Sequence, residues 1–252
     1  MNSEGRKFYE QDLEHVYNRR SRVEIGAIGA RYGFARDFQE GLYHSPILWL
    51  DIGTNKGFGL AELVGLNGTV IAVDLKEEYL REAARETDFM LAQMDATKLG
   101  LKDESVKVVT AFEVIEHVPE ADRVLQEAYR VLEKGGLLFL STPNKPASGN
   151  RRMSPDHKKE FTAEEMAMML QNSGFTIISQ LGQAFLSGNF RDRLFKTARE
   201  NPWVSFAYYH LMPWAISSKI RDGFQTSQDA LKIRKPKENE MSRGLYFVCS
   251  KQ

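Results

Sequence analysis

Glu113, Glu116 and His117 close the apolar run Val106 to Phe112 at offsets of zero, three and four, so a helical turn there presents all three to one side. A fourth group, His157, comes from a loop rich in Pro, Asn and Ser. Two carboxylates and two imidazoles form a donor set for a divalent cation. On chemistry alone magnesium, manganese, iron and zinc are all open. His157, and His117 beside the acids, also read as neutral imidazoles able to take a proton from a hydroxyl or amine near pH 7. The plainer alternatives stand next to these: Glu116 caps a helix, His117 packs on a sheet edge, and His157 is an exposed loop residue.

A second set of residues has the spacing of a nucleoside site. The apolar run Leu48-Trp-Leu-Asp51-Ile enters a turn containing Gly53, Asn55 and Gly57, and a second apolar run, Thr69 to Val73, ends in Asp74. That acid lies about twenty residues beyond Gly53, where nucleotide-binding βαβ units place a carboxylate on the ribose hydroxyls.

The elements that must carry these groups alternate. Strands are expected at Ile47 to Ile52, Thr69 to Val73, Phe89 to Gln93, Val106 to Phe112 and Leu137 to Ser141, with helices from Gly57, from Glu77 and from Ala121 to Leu132. Such alternation predicts a parallel sheet with helices on both faces. Pro119 suits the first turn of its helix, and Lys134-Gly135-Gly136 suits the stop. Thr162-Ala-Glu-Glu reads as a capping box opening a helix that ends near Ser173-Gly174. Strands follow at Phe175 to Gln180 and Leu245 to Ser250. Residues 1–45 are read as an N-terminal segment, helical over about Lys7 to Gln39, and residues 181–244 as an insertion too long for an ordinary connection.

With 252 residues, 42% hydrophobic and 27% charged, the chain can bury one elaborated α/β core, and residues 1–252 are read as a single domain. Lys plus Arg and Asp plus Glu both number 34, which leaves no global field for nucleic acid or an anionic membrane. The lone cysteine, Cys249, sits in an apolar strand and suits a reducing compartment. The N-terminal residues lack the apolar core of a signal peptide, so a cytoplasmic location is expected.

The succession Leu50-Asp-Ile-Gly-Thr-Asn-Lys-Gly57, Val73-Asp74, Met94-Asp-Ala96, Phe112-Glu-Val-Ile-Glu-His-Val118 and Leu132 to Asn144 resembles the class I S-adenosylmethionine-dependent methyltransferases, in particular the ubiquinone-biosynthesis type. The resemblance covers roughly Leu48 to Ile178 and the last strand. It implies a Rossmann-like seven-stranded sheet whose last strand is antiparallel, with S-adenosylmethionine at the carboxyl ends of the first strands. It implies that Gly53 and Gly57 admit the methionine part, that Asp51 orders the loop and receives the amino group, and that Asp74 holds the ribose. Asp95 would accept from the adenine amine with Ala96 beside the ring, and Leu75, Phe112 and Glu113 would complete the lining. The family pattern Asp-x-Gly-x-Gly-x-Gly has Asn55 at its middle glycine here, a residue that tolerates left-handed backbone.

Acids and histidines corresponding to Glu113, Glu116, His117 and His157 bind a metal in ubiquinone-type O-methyltransferases and in small-RNA 2′-O-methyltransferases. Magnesium or manganese is therefore the expected ion. These readings give methyl transfer to a small, hydrophobic metabolite, preferably at oxygen. An RNA 2′-O-methyltransferase and a non-catalytic interaction protein are the alternatives, and nucleic acid is not the expected partner. Within the insertion, residues 202–216 hold five aromatic side chains besides His210; they suit a helical lid over the substrate, or a peripheral membrane contact.

Overall fold

The computed structural model describes residues 22–85, 87–145, 154–186, 232–236 and 241–252. Seven strands form one sheet: β1 (Ile47–Ile52), β2 (Gly68–Asp74), β3 (Met90–Gln93), β4 (Val106–Phe112), β5 (Leu132–Pro143), β6 (Thr176–Leu186) and β7 (Met241–Ser250). Their spatial order is β3-β2-β1-β4-β5-β7-β6. β7 runs antiparallel to both of its neighbours, whereas β1 to β5 pair in parallel.

Alternate side chains of each strand go to opposite faces. Leu50, Ile52, Val109, Ala111, Leu138, Leu140 and Phe247 enter one core, where α3 (Ala121–Val131) and α4 (Ala163–Asn172) cover them. Trp49, Val70, Ala72, Val108, Phe139 and Tyr246 enter the other, under α1 (Arg22–Glu40). In α3 the buried Ala121, Val124, Leu125, Ala128 and Val131 make one stripe, which is the period a helix needs to seat on a sheet. Each fully buried Val or Leu there contributes about 1.5–3 kcal/mol. The capping box opens α4 as expected: Glu165 N–H donates to Thr162 Oγ1 at 3.1 Å, and Thr162 N–H donates to the Glu165 carboxylate at 2.8 Å.

Two expectations are corrected. Instead of a helix from Gly57 there is one 3-10 turn, Leu60–Leu63, because Gly59 lies directly under the Tyr32 ring and Gly65 turns left-handed at φ +84°. α2 (Glu77–Ala83) is correspondingly the first full helix after β1. The boundaries of the insertion also move inward, since β6 continues to Leu186 and β7 starts at Met241. The N-terminal helix is described from Arg22, and the aromatic stretch 202–216 lies outside the described residues. Among the described residues no helix is long and apolar enough to cross a membrane.

Candidate active site

Strand order reverses between β1 and β4, and a crevice opens there at the carboxyl ends of the strands. It is a cavity of about 800 Å³, within the range of small-molecule sites. The β1 exit makes its floor. Gly53 and Thr54 donate their N–H groups to Val73 O at 2.8 and 3.0 Å, which ties the turn to β2. Gly53 has φ +71°, and a Cβ there would stand 2.4 Å from Val114 Cγ2, so only glycine fits. Asn55 takes the left-handed backbone at φ +53°, and its N–H donates to Asp74 Oδ2 at 2.8 Å. Lys76 N–H donates to Asp74 Oδ1 at 2.9 Å, so both oxygens of this acid are aimed by backbone.

Gly53, Asn55, Asp74 and Leu75 line the cavity, as do Asp95, Ala96, Phe112 and Glu113 from the β3 and β4 ends. Leu75 keeps a largely exposed apolar side chain on the rim. Asp95 accepts the N–H and the hydroxyl of Thr97 on Oδ1, bonds that hold its carboxyl below the usual range, and Oδ2 remains for a ligand. Glu113 is held left-handed at φ +55°, with Oε1 receiving the Ser141 hydroxyl at 2.9 Å and the Arg31 guanidinium at 3.3 Å. A strained non-glycine residue at a cavity wall is a common mark of a functional position.

Two expected residues lie behind the wall. Asp51 is fully buried and does not line the cavity: its carboxylate receives the Tyr32 hydroxyl on both oxygens, at 2.9 and 3.0 Å, and the Thr110 hydroxyl at 2.7 Å. Burial pushes its carboxyl up to about 6. Gly57, at φ +80°, instead lets α2 close in, since a Cβ there would be 3.1 Å from Ala83 Cβ.

The acid and histidine group divides. Glu116, His117 and His157 come together, with one donor atom of each within 4.8 Å of the others, while Glu113 stays with Arg31. Glu116 and His117 follow β4 in a 3-10 turn, Ile115–His117, and His157 comes from the loop after β5. Glu116 is buried; Oε2 accepts the Thr142 hydroxyl at 3.0 Å, and Oε1 makes no hydrogen bond, with His117 Nε2 3.9 Å away. Burial, then the nearby Glu113, push its carboxyl up to about 8. The Glu116 carbonyl receives Lys158 and Lys159 N–H, which anchors the loop after β5. His117 lines the cavity; His157 stands behind it, ring edge to ring face at 4.9 Å between centroids.

The largest contribution missed in the sequence comes from α1, which sends Ile28, Arg31 and Tyr32 into the cavity wall. Arg31 also donates to Gln183 on β6 at 2.8 Å, and Gln183 donates back to Ala27 O at 2.9 Å. No motif marks these residues, because the meaning of Arg31 and Tyr32 lies in side-chain contacts across 19 to 152 positions of chain.

A doubly wound sheet with an antiparallel finish and acids waiting at the ends of β2 and β3 defines a nucleoside-cofactor domain. Residues 50–140 match the methyltransferase domain family. A Mycobacterium tuberculosis protein named a probable S-adenosylmethionine-dependent methyltransferase is 31% identical over 175 residues, which are 68% of this chain and 60% of that protein. The ubiquinone biosynthesis O-methyltransferase of Idiomarina loihiensis is 31% identical over 123 residues, 46% of this chain and 49% of its own length. Among solved structures, a methyltransferase from Archaeoglobus fulgidus superposes with a TM-score of 0.57 at 16% identity, covering 87% of this chain and 92% of that one. The cyclase SpnF does so with 0.56 at 18%, covering 87% and 80%. Over residues 50–140 the chain thus carries a methyltransferase domain, and beyond it the chain is similar to S-adenosylmethionine-dependent methyltransferases. It spans about 60% of the length of the Mycobacterium relative.

Proposed function

We propose that the protein transfers a methyl group from S-adenosylmethionine to a small hydrophobic molecule, with oxygen the favoured acceptor. The observation that carries the reading is the pair of acids at the cavity. Beyond its two backbone bonds Asp74 keeps a lone pair on each oxygen for a ribose diol, and Asp95 keeps Oδ2 for an exocyclic amine. Leu75 offers an apolar face to a base, and Gly53 gives backbone access where any side chain would clash. The residues therefore fit the family's cofactor, whose sulfonium supplies an activated methyl group.

The remaining wall suits the acceptor. Ile28, Phe58, Phe112, Val118 and Pro119 make it apolar, which supports a hydrophobic substrate. His117 is the proton acceptor best placed in the cavity. Its Nδ1 lies 3.1 Å from Asp156 O, a carbonyl that only accepts, so Nδ1 carries the proton and Nε2 the lone pair. His157 supports it from behind. Calorimetric titration with S-adenosylhomocysteine tests the reading, and absence of binding by folded protein would refute it. Binding without labelling of any hydroxyl-bearing acceptor would leave a cofactor-binding protein instead, as the breadth of the fold allows.

A second reading adds a divalent ion, magnesium or manganese, at Glu116, His117 and His157. Its support is the orientation of the donors. Both imidazoles use Nδ1, toward Asp156 O and the Glu160 carboxylate, which leaves both Nε2 atoms for a ligand, and His117 Nε2 lies 3.9 Å from Glu116 Oε1. Such outer partners fix metal-binding histidines in many proteins. An ion there would lower the pKa of a substrate hydroxyl. Manganese titration followed by electron paramagnetic resonance tests it; unchanged free manganese signal, with cofactor product present, would exclude the site.

A further inference from the structure

The cavity has two ends. Asp74, Leu75 and Asp95 stand at the ends of β2 and β3, whereas Gly53, Phe112 and Glu113 stand at the ends of β1 and β4. With strands about 4.8 Å apart, a nucleoside held over β2 and β3 leaves its 5′ substituent over β1 and β4. Resting on the proposed cofactor reading, that substituent is the amino-acid half of the ligand.

Tyr32 meets this second end. Its ring lines the cavity, lies edge-on to Phe112 at 4.9 Å between centroids, and covers Gly59 so closely that a Cβ there would be 2.0 Å from Cε2. Its hydroxyl passes through the wall to Asp51, two residues before Gly53. Asp51 is buried, and the Thr110 hydroxyl on Oδ1 receives the Trp49 indole N–H at 3.0 Å in turn. The chain Trp49, Thr110, Asp51, Tyr32 thus fastens α1 to the central strands directly beneath the Gly53 turn. Arg31, next in sequence, fastens α1 to β4 and β6 through Glu113 and Gln183.

We propose that Tyr32 is a positioning residue which, through Asp51, holds the Gly53 turn in the shape that receives the amino-acid half of the cofactor, without contributing to the nucleoside half. The hydroxyl does this by completing the hydrogen bonding of a carboxylate that no water reaches. Without it Asp51 loses the hydroxyl that spans both of its oxygens in a place of zero exposure, and a buried acid so deprived either protonates or shifts, carrying the turn with it.

Calorimetry with two probes separates the halves: S-adenosylhomocysteine, and 5′-methylthioadenosine, which has the same nucleoside and sulfur but no amino acid. Tyr32→Phe is expected to weaken S-adenosylhomocysteine about tenfold, the worth of one hydrogen bond to a charged group, and to leave 5′-methylthioadenosine within about twofold. Asp51→Asn should show the same selectivity, and the double variant should be no weaker than the weaker single one, because both remove one link. Equal weakening of both probes, tracking a fall in melting temperature, would assign Tyr32 a merely structural role and overturn the inference. Unchanged binding of both would overturn it too. Wild-type protein that binds neither probe refutes the proposed function itself, a result distinct from the other two.

Discussion

Asp51→Asn should make the protein more stable near neutral pH while impairing it. The carboxyl is fully buried, and its value is raised from 3.8 to about 6, first by burial and against the opposing hydroxyls of Thr110, Thr54 and Tyr32. Between about pH 4 and 6 the folded protein therefore keeps a proton that the unfolded chain has already released. Stability contributed by this group is present below the unfolded value and is lost as pH rises toward the folded one. The difference between 3.8 and about 6 corresponds to about 3 kcal/mol. Asparagine has nearly the same shape and is neutral throughout, so it escapes the penalty. Urea unfolding of both proteins at a series of pH values isolates the effect, because every other titrating group cancels in the difference. The advantage of the variant over the wild type should grow by about 3 kcal/mol from about pH 3.5 to pH 7 and then level off. A difference flat with pH, or one that shrinks as pH rises, would refute the reasoning. The protein would be carrying an ionised buried acid at the expense of stability, as active sites often do.

Asp74→Asn should weaken S-adenosylhomocysteine about tenfold or more, since an amide offers one acceptor where the ribose diol requires two; calorimetry reads it directly. Gly53→Ala combines φ +71° with a 2.4 Å approach to Val114 Cγ2, so a lower melting temperature and loss of cofactor binding are expected together. At Asn55, glycine should leave affinity almost unchanged because the backbone N–H makes the bond to Asp74, whereas valine at φ +53° should cost about 1–2 kcal/mol in unfolding experiments. Thr162→Ala removes one half of the α4 capping box and should cost about 1 kcal/mol of stability by urea titration.

The parallel strands and the acids at their ends were legible because a central strand buried on both faces is apolar over its whole length. The acid that follows it then stands out, as Asp74 does after Thr69 to Val73. Segments shaped by one tertiary contact were not legible. Phe58 to Val64 has a helical pattern, yet the Tyr32 ring over Gly59 and the left-handed Gly65 leave room for a single 3-10 turn. The extensions of β6 to Leu186 and of β7 from Met241 carry mixed polar residues without alternation, so only their pairing reveals them. At the site, the acids and histidines announce themselves by type and spacing, but which of them face the cavity does not follow from spacing. Glu113 parts from the other three because Arg31, distant in sequence, claims its carboxylate. Asp51 looks like a ligand-facing acid until Tyr32 and Thr110 are seen to occupy it.

Leu186 and Met241 are register partners at the end of the β6 and β7 ladder. β6 runs in the same sense as β5, so it ends on the side of the sheet where the cavity opens, and β7 begins there. Any stretch of chain set between them starts and finishes at one doorway on the cavity's side of the sheet, with its two ends already side by side. Lengthening such a stretch adds little closure entropy, and one bridge, Arg234 with Gly182, ties it to β6. The matched family region, 50–140, contains the acids at the ends of β2 and β3 and stops well short of this doorway. The sheet thus sets both ends of the 187–240 segment at the mouth of the cavity, outside the stretch that matches the family and on the far side of the sheet order from the acids.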